Sequence, residues 1–371
     1  MAKKATVLIT GGAGFIGSHT GDALLGKGYK VKILDSLEPP IHQNHRWPKY
    51  VQNKSYELIK GDIRNKKTIE RSLRGVSYVY HIAAYQDQRP DFSKFFETNV
   101  LSSALLYEII AAKKLPVKKI ILASTQFIYG DGEYSCPHSQ QTFFPEVRPL
   151  KQFQKKDWSI KCPHGSRANF HPFKENQKLM PTNSYGLSKQ AMENLGLRLG
   201  KTYSIPTTIL RYSIVQGPRQ SPFNLYSGAI RIFVSQSLAG VPITVYEDGE
   251  QTRDFVNIRD VVRANLLALN NKKTDFEIYN VGGGRAWKVL DFANLVKKIT
   301  GATSPILISG FRRTDTREAI SDISKIKKLG WRPKFSTEDS IKSYVEWFQK
   351  EKFTKQLNLK YLKRLKLGIK N

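Results

Sequence analysis

Residues 5–17 read ATVLITGGAGFIG, a short apolar run followed at once by a turn that contains four glycines. The apolar run 5–10 has the length and composition of a buried β-strand, residues 18–25 have a helical pattern, and residues 30–34 form a second apolar run. Strand, glycine turn, helix and strand in this order are typical of a βαβ unit. The stretch therefore predicts two parallel strands joined by a helix.

Apolar runs and helical segments continue to alternate after this unit. The runs lie at 76–82, 119–123 and 207–210, and the helical segments lie at 99–112 and 184–203. Such alternation is typical of a parallel sheet that helices cover on both faces. After about residue 215 the pattern changes to mixed short strands, turns and helices. We predict an α/β protein: a Rossmann-type doubly wound parallel sheet with a smaller, mixed α/β C-terminal lobe.

The pattern divides the chain into three parts. Residues 1–205 form the predicted nucleotide-binding domain, which holds an insertion at 131–180 that is polar, aromatic and rich in proline. Residues 206–349 form the predicted substrate lobe, interleaved with the first domain. Residues 350–371 are a basic tail with eight Lys or Arg residues and apolar residues at near-helical spacing. The tail either docks on its own domain or contacts a partner or a lipid surface.

The composition is that of an ordinary globular protein. The chain has 371 residues, 40% of them hydrophobic, and a formal net charge of +29, which excludes collagen-like, disulfide-scaffold and fully disordered classes. Two cysteines fit a reducing compartment, and every apolar run is too short to cross a bilayer. We therefore expect a cytoplasmic protein without a transmembrane segment. The charge has two open interpretations: lysines that solubilise the surface, or an anionic substrate, nucleic acid or lipid.

The glycine turn has the position and spacing of a phosphate-binding loop. Gly11, Gly14 and Gly17 lie between a predicted strand and a predicted helix, where glycines permit a tight turn and the close approach of a pyrophosphate. Asp35 ends the second predicted strand, where a carboxylate accepts hydrogen bonds from a ribose diol and repels a 2′-phosphate. These residues predict NAD rather than NADP. Structural turn glycines with a capping aspartate remain the alternative.

A second constellation consists of a phenol, an ammonium group and a hydroxyl. Tyr185 and Lys189 are four residues apart and therefore share one face of the predicted helix. Lys189 can stabilise a phenolate and hold the cofactor ribose, which brings the pKa of Tyr185 towards working pH and makes it a general base. Thr125 follows a predicted strand. The spacing alone is common by chance, and it becomes specific only beside the nucleotide turn.

The chain resembles the extended short-chain dehydrogenases/reductases. Within them it is nearest to the NAD-dependent nucleotide-sugar epimerases and dehydratases, especially the nucleoside-diphosphate-hexose 4-epimerases such as those of deoxythymidine-diphosphate rhamnose. The resemblance covers residues 5–350, and the motifs that carry it are TGGAGFIG at 10–17, GDIR at 61–64, HIAAY at 81–85, ETNV at 97–100, ASTQFIYG at 123–130, YGLSK at 185–189, LRYSIVQGPRQ at 210–220, DGEQTRDFVNIRDV at 248–261 and YNVGGG at 279–284. It implies a homodimer through helices near 97–112 and 184–203, although the same apolar stripes would serve the core of a single chain.

The resemblance also implies roles for individual residues. It makes Thr125, Tyr185 and Lys189 the catalytic set, with the Thr125 hydroxyl bonded to the reacting hydroxyl of the substrate. Without the resemblance, Asn99 would be a helix-start residue and Thr125 a strand-end cap. The residues implied along NAD are Gly11, Gly14, Phe15, Ile16 and Gly17 at the pyrophosphate, Asp35 at the ribose, Asp62 and Ile63 at the adenine, and Ala83, Ala84, Asn99, Tyr185 and Lys189 along the remainder.

Three arginines are implied at the substrate. Arg253 and Arg312 match the arginines with which the family clamps the diphosphate of a sugar nucleotide, and Arg219 is a further candidate. Two guanidinium groups suit bidentate phosphate recognition, whereas ordinary surface arginines are the alternative. Where many relatives read RYFN, this chain reads RYSI at 211–214. The substrate pocket is therefore expected to differ from theirs.

The residues after Thr125 narrow the reaction. The family's 4,6-dehydratases need a carboxylic acid and a carboxylate there, and decarboxylating relatives a Glu two residues on, whereas this chain has Gln126 and Phe127. We therefore predict an NAD-dependent epimerase of a nucleoside-diphosphate sugar that inverts C4 through a 4-keto intermediate, with Tyr185 as the base. Alternatives of the same family are a 4-ketoreductase or dehydrogenase and a 4,6-dehydratase.

The alternative of another class is a non-catalytic NAD-bound scaffold or nucleic-acid-binding protein, which the charge and the basic tail suggest. A pure binding module has no need of Thr125, Tyr185 and Lys189, so we expect an enzyme and no nucleic-acid partner. The resemblance implies polysaccharide biosynthesis as the pathway.

One tripeptide occurs twice within the insertion, as Cys136-Pro137-His138 and Cys162-Pro163-His164. Two cysteines and two histidines could hold a tetrahedral zinc ion. A single residue between Cys and His, however, makes both members of each pair hard to aim at one metal. We therefore assign no metal site, while zinc, a disulfide and ordinary loop residues stay open as interpretations.

Overall fold

The computed structural model describes residues 5–87, 89–224 and 228–353. Its strands are β1 Thr6–Thr10, β2 Lys30–Asp35, β3 Tyr56–Lys60, β4 Tyr78–His81, β5 Lys119–Thr125, β6 Glu133–Ser135, β7 Thr142–Phe143, β8 Asn169–His171, β9 Thr207–Tyr212, β10 Ile214–Gln216, β11 Ile243–Val245, β12 Thr252–Asn257, β13 Glu277–Val281, β14 Ala286–Lys288, β15 Ile306–Ile308 and β16 Glu318–Ala319. Its helices are α1 Phe15–Gly26, α2 Lys49–Gln52, α3 Lys66–Ser72, α4 Phe92–Phe96, α5 Ser102–Ala112, α6 Leu150–Gln154, α7 Ser184–Thr202, α8 Ala229–Leu238, α9 Ile258–Asn270, α10 Val289–Thr300, α11 Ser324–Lys327 and α12 Thr337–Lys350. A π-helical segment, Glu97–Leu101, joins α4 to α5. From residue 354 on, the predicted tail 350–371 lies outside the described residues.

Seven parallel strands form the main sheet, in the order β13-β9-β5-β4-β1-β2-β3. Strands β1 to β3 lead to one edge, whereas β4, β5, β9 and β13 lead to the other, so the strand order reverses between β1 and β4. A reversal of this kind opens a crevice at the carboxyl ends of the strands. The predicted doubly wound α/β fold is confirmed.

Helices cover both faces of this sheet. In β1, Val7 and Ile9 belong to one hydrophobic core and Leu8 to the other, because successive side chains of a strand point to opposite faces. Helices α1 and α9 contribute Leu24 and Val261 to the first core, while α3, α5 and α7 pack into the second. Every residue of β5 is buried, which is typical of a central parallel strand.

Smaller units lie beside the main sheet. In the C-terminal part, β12 pairs with β10, β14 and β16, β11 pairs with β15, and a core lies between α8, α10 and α12. The insertion forms an antiparallel sheet, β7-β6-β8, with a small core of its own. Strand β13 returns from the C-terminal part to the edge of the main sheet. Among the described helices, none combines the length and the apolar character that spanning a membrane requires.

A buried ion pair ties helix α7 to the main sheet. Arg211 of β9 donates to both carboxylate oxygens of Glu193 of α7, at 2.7 Å for the shortest contact, and each side chain is only 2% exposed. The same guanidinium donates to the Tyr129 hydroxyl at 2.7 Å and to the Glu175 backbone carbonyl at 3.0 Å. Since Tyr129 follows β5 and Glu175 belongs to the insertion, one side chain connects all of these parts.

Replacing Glu193 with Gln leaves the Arg211 guanidinium buried without its counterion. We expect the free energy of unfolding to fall by about 3–5 kcal/mol, measured by urea denaturation with circular dichroism. Glu338→Gln is the matched control, because Glu338 pairs with Lys342 on α12 while more than half of each side chain is exposed. The control should lose less than about 1 kcal/mol. Equal losses in the two variants would contradict the role given to the buried pair.

Candidate active site

The glycine turn lies at the switch point between β1 and β4. Gly11 has a φ of +68°, and a Cβ at this position would lie 2.7 Å from the Cα of Ala83, which follows β4. A Cβ at Gly17 would lie 2.3 Å from the Gly11 carbonyl oxygen. Helix α1 begins directly after Gly14, whose backbone is extended. Side chains are therefore excluded from the turn, and the N-terminus of α1 faces the crevice, where helix dipole and free N–H groups favour an anion.

Asp35, at the end of β2, braces this turn. Its carboxylate accepts hydrogen bonds from the backbone N–H of Ala13 at 3.0 Å and of Leu37 at 2.9 Å. Burial raises the pKa of Asp35, and the nearby His42, whose Nε2 lies 3.8 Å from the carboxylate, opposes this rise. Asp35 also lines the cleft. Asp35 thus has the capping role that the sequence left open, and it also lies in a position suited to binding a ribose diol.

A cleft runs from the glycine turn along the carboxyl ends of the strands to helix α7. Of the residues predicted to contact a cofactor or substrate, those that line the cleft are Gly11, Gly14, Phe15, Ile16, Asp35, Asp62, Ile63, Ala83, Ala84, Tyr185, Lys189 and Arg219. Five predicted residues do not line it, namely Gly17, Asn99, Thr125, Arg253 and Arg312. The structure thus brings most of the predicted nucleotide contacts to one surface.

Helix α7 carries the phenol and the ammonium group to the floor of this cleft. Its first turn is capped by the Asn183 side chain, which accepts from the Gly186 N–H at 2.9 Å. Tyr185 and Lys189 lie one turn apart on the same face of α7, and the Lys189 Nζ is 6.0 Å from the centre of the Tyr185 ring. Lys189 donates to the Ala123 carbonyl at 2.8 Å. The helix therefore holds both groups against the end of β5.

The electrostatics of the pair follow from burial. Burial lowers the pKa of Lys189 to about 8, with Glu193 opposing the shift. Burial raises the pKa of Tyr185, and a hydrogen bond with the Thr125 hydroxyl opposes that rise. The sequence predicted a pKa of Tyr185 brought towards working pH by Lys189. In this structure the pKa of Tyr185 shifts upwards instead, because desolvation outweighs the hydrogen bond with Thr125.

Thr125 and Asn99 act from behind the cleft surface. Thr125 ends β5, is 6% exposed, and its hydroxyl also accepts from the Phe127 N–H at 3.3 Å. Asn99 is fully buried. Its side-chain oxygen Oδ1 accepts from the Tyr85 backbone N–H at 2.8 Å, and its side-chain Nδ2 donates to the Ser188 hydroxyl at 2.9 Å. Asn99 therefore fastens the segment after β4 to helix α7.

Of the three predicted arginines, one lines the cleft and two do not. Arg219 lines the cleft, where it donates to Asp22 of α1 at 2.8 Å and stacks over the Tyr50 ring at 4.7 Å. In the C-terminal part, Arg253 donates to the Asp315 carboxylate at 2.7 Å. Arg312 stacks over the Tyr246 ring at 4.9 Å, and its backbone carbonyl accepts from the Asp315 N–H at 3.1 Å. Arg253 and Arg312 thus both contact Asp315.

Sequence reasoning missed several cleft residues. The most informative is Arg231 of α8, which is 4% exposed and lines the cleft. A signal was present, because Arg231 interrupts the apolar run AIRIFV at 229–234, and an arginine at a buried helix position is rare without a polar partner. Further unpredicted cleft residues include Arg64, Lys94, Tyr212 and Asn224.

The doubly wound sheet, the glycine turn at its switch point and the Tyr–Lys pair on α7 define a dinucleotide-binding protein of the Rossmann class. Comparison with known proteins gives the family. The NAD dependent epimerase/dehydratase family matches residues 7–154 and 161–282. The chain belongs to this family, which confirms the predicted family and the predicted NAD cofactor.

Individual relatives match nearly the whole chain. The dTDP-L-rhamnose 4-epimerase of Burkholderia thailandensis is 30% identical over 353 residues, covering 93% of this chain and 95% of that protein. A putative UDP-glucose 4-epimerase of Methanocaldococcus jannaschii is 32% identical over 347 residues, covering 92% and 98%. The crystal structure of UDP-glucuronic acid 4-epimerase from Bacillus cereus, in complex with UDP-glucuronic acid and NAD, has a TM-score of 0.75 at 26% identity, covering 93% and 99%.

Gly11→Ala places a methyl group into the backbone of Ala83 and into a left-handed conformation. We expect the free energy of unfolding to fall by at least about 1–2 kcal/mol from the backbone strain, and the NAD content of the purified protein to fall with it, measured by chromatography after denaturation. Gly26→Ala, at the exposed end of α1 where a Cβ meets nothing within 4 Å, should keep the cofactor. A Gly11→Ala protein with full NAD content would refute the close-approach argument.

Proposed function

We propose that this protein is an NAD-dependent 4-epimerase of a nucleoside-diphosphate hexose. The observation that carries the proposal is the placement of Tyr185 and Lys189 at the end of a nucleotide cleft, with Tyr185 bonded to Thr125 directly behind the cleft surface and Lys189 fixed on the Ala123 carbonyl. The relatives named 4-epimerases support it, since they match this chain over nearly its full length.

Tyr185 is the general base in this proposal. It takes the proton of the C4 hydroxyl of the sugar, while the Thr125 hydroxyl bonds to the same substrate oxygen. Lys189 is protonated below pH of about 8, since its pKa is lowered to about 8, and its positive charge favours the phenolate form of Tyr185. When bound, NAD⁺ supplies a hydride acceptor that returns the hydride in the same cycle. Turning of the 4-keto sugar between the two transfers inverts C4.

The remaining predicted residues take binding roles. The N-terminus of α1 with Gly11, Gly14, Phe15 and Ile16 holds the cofactor pyrophosphate, as the cleft lining supports. Asp35 binds the adenosine ribose, and Asp62 and Ile63 border the adenine. Ala83 and Ala84 lie along the rest of the cofactor, while Gly17 and Asn99 support the turn and helix α7 from behind.

The sugar diphosphate is negative and needs cations. Arg219 and Arg231 line the cleft and would meet it directly. Arg253 and Arg312 would contribute from the C-terminal part, Arg253 by exchanging its contact with Asp315 for the phosphate. The binding of an anionic substrate would therefore explain part of the positive charge of the chain, namely the arginines of the cleft.

The alternatives have less support. Gln126, which follows Thr125, is buried and offers no carboxyl group, so 4,6-dehydration lacks its acid at this position. A scaffold without catalysis does not explain why Tyr185 and Lys189 line the cleft with Thr125 bonded to Tyr185 behind them. A 4-ketoreductase or dehydrogenase would use the same residues and differs only by consuming the cofactor.

The proposal is tested by incubating the purified protein with a panel of nucleoside-diphosphate hexoses in deuterated water. Proton NMR of the sugar and the absorbance of the reduced cofactor are followed together. We expect C4 inversion without net reduced cofactor, and a loss of about 10²–10⁴-fold in rate for Tyr185→Phe, because the general base is removed. Tyr203→Phe is the control, since Tyr203 ends the same helix and is 56% exposed; its rate should be unchanged.

Other outcomes separate the alternatives. Stoichiometric change of the cofactor would make the protein a reductase or dehydrogenase. Deuterium at C5 with a new methyl signal would show dehydration. An unchanged rate in Tyr185→Phe would overturn the assignment of the base even if inversion occurs.

We further propose that two copies associate through the outer faces of α4, the π-helical segment and α7. Exposed apolar side chains gather on these packed elements, namely Phe92, Phe96, Leu101 and Leu187, each 42–59% exposed. A contiguous apolar surface of this kind is typical of an interface. It supports the homodimer implied by the resemblance, and its alternative, burial in the core of one chain, does not apply to these side chains.

Phe96→Glu places a charge on this surface and is expected to shift the protein from dimer to monomer, because a buried unpaired carboxylate at an interface is costly. Light scattering coupled to size-exclusion chromatography measures the mass. Leu150→Glu, on α6 and equally 42% exposed, should leave the dimer intact. A wild-type protein that is monomeric at working concentrations would contradict the interface.

We also propose that the protein works in the cytoplasm, in the supply of sugar nucleotides for polysaccharide biosynthesis. Both cysteines are free, which fits a reducing compartment, and a nucleoside-diphosphate hexose is the activated form in which glycosyltransferases consume sugars.

A further inference from the structure

The two Cys-Pro-His turns of the insertion meet in space. Cys136 opens one tight turn, in which its carbonyl accepts from the Gln140 N–H at 2.9 Å, and Cys162 opens the other, in which its carbonyl accepts from the Gly165 N–H at 2.8 Å. Each cysteine N–H is also bonded across its turn, to Gln141 and to Ser166 respectively. The two cysteines therefore lie at the bases of two turns, where backbone hydrogen bonds fix their positions.

Three ligand atoms converge between these turns. The Sγ atoms of Cys136 and Cys162 and a ring nitrogen of His164 all lie within 4.8 Å of one another, and the Cys136 Sγ lies 3.2 Å from the His164 Nδ1. With Zn–S near 2.3 Å and Zn–N near 2.0–2.1 Å, ligand atoms of a tetrahedral site are about 3.5–4 Å apart. The three atoms therefore reach one zinc ion with small side-chain movements.

Hydrogen-bond donors surround the Cys136 sulfur. The Ser139 backbone N–H, the Ser139 hydroxyl and the His138 backbone N–H all donate towards it. Both cysteines are nearly inaccessible, with 1% and 4% of their surface exposed. Backbone N–H groups that donate to a sulfur form the outer shell of a metal site, because they orient the thiolate and stabilise its charge.

We propose that Cys136, Cys162 and His164 bind a zinc ion that holds the insertion together. The sequence assigned no metal because both members of a Cys-Pro-His triplet are hard to aim at one ion. In the structure the second triplet does aim both of its members at one point, because the Cys162 Sγ and a His164 ring nitrogen converge there with the Cys136 Sγ. His138 is a candidate for the fourth position: its ring centre lies 6.0 Å from that of His164, it is exposed, and it would exchange its bond to the Ser166 hydroxyl for the metal.

The insertion has little regular structure to stabilise it. Its sheet consists of strands of three, two and three residues, and its small core has Tyr134, Ile160 and Ala168 buried beside the two cysteines, with Phe143 and Phe170 packed against them. A metal ion or a disulfide is a common way to stabilise so small a unit. The unit matters to the rest of the protein, because the Tyr134 hydroxyl donates to Glu318 beside β12 at 2.6 Å. The site is structural, since none of its ligands lines the cleft.

The site is tested on the whole protein, purified from zinc-supplemented cells under reducing conditions after removal of any metal-binding tag. We expect close to one zinc ion per chain by plasma mass spectrometry. Replacement of zinc by Co²⁺ should give a thiolate-to-cobalt absorption band and the intense visible bands of a tetrahedral site. Cys162→Ser and His164→Ala should each lose most of the metal, His138→Ala part of it, and the control His45→Ala, on an exposed turn after β2, none.

The cofactor content keeps the test interpretable where a variant folds poorly. Because the zinc ligands lie outside the cleft, a Cys162→Ser protein that keeps NAD but loses zinc supports the site. Titration of the wild-type thiols decides the rest: two free thiols that fail to bind added Zn²⁺ would overturn the proposal, and so would a Cys136–Cys162 disulfide, seen as a loss of both thiols without reductant. None of these outcomes depends on the reaction that the protein catalyses.

Discussion

The buried guanidinium of Arg211 is the contact on which the geometry of the site depends. It lies on β9 and neutralises Glu193 of α7, while its remaining N–H groups reach the Tyr129 hydroxyl and the Glu175 carbonyl of the insertion. Tyr129 passes the connection on by donating to Asn280 of β13 at 2.7 Å. A charge so deeply buried tolerates little change in position, because every displaced hydrogen bond exposes it to an apolar medium. It therefore fixes helix α7, the end of β5 and the insertion relative to one another.

The geometry of the proposed catalytic set depends on this arrangement. Glu193 lies one turn after Lys189, so the ion pair that anchors α7 also sets the height of Lys189 and Tyr185 above the sheet and opposes the fall in the pKa of Lys189. Asn99 also holds helix α7 in place, because its side chain donates to the Ser188 hydroxyl. Thr125 needs no such support, because it ends the fully buried strand β5. A dinucleotide bound at the glycine turn and a sugar bound beside Tyr185 thus share one rigid crevice.

The structural elements that a local sequence pattern determines could be predicted. Strand β1, its glycine turn and helix α7 depend on apolar spacing and on glycine sterics, and these are visible within a dozen residues. Packing between distant segments determines the positions of Asn99, Arg219 and Arg253. The family motifs therefore predicted these residues but not their contacts. Arg231 was not predicted, because none of the family motifs lies on its helix α8.

The insertion shows the limit of spacing arguments most clearly. The single residue between Cys and His argued against a metal site and left it open, whereas the two turns meet and bring Cys136, Cys162 and His164 together.

The proposed epimerisation depends on the transfer of the C4 hydride. A nucleoside-diphosphate hexose deuterated at C4 should yield the C4 epimer with deuterium still at C4, because the hydride leaves and returns within one active site. Deuterium found in the solvent or on released cofactor would contradict the epimerase account.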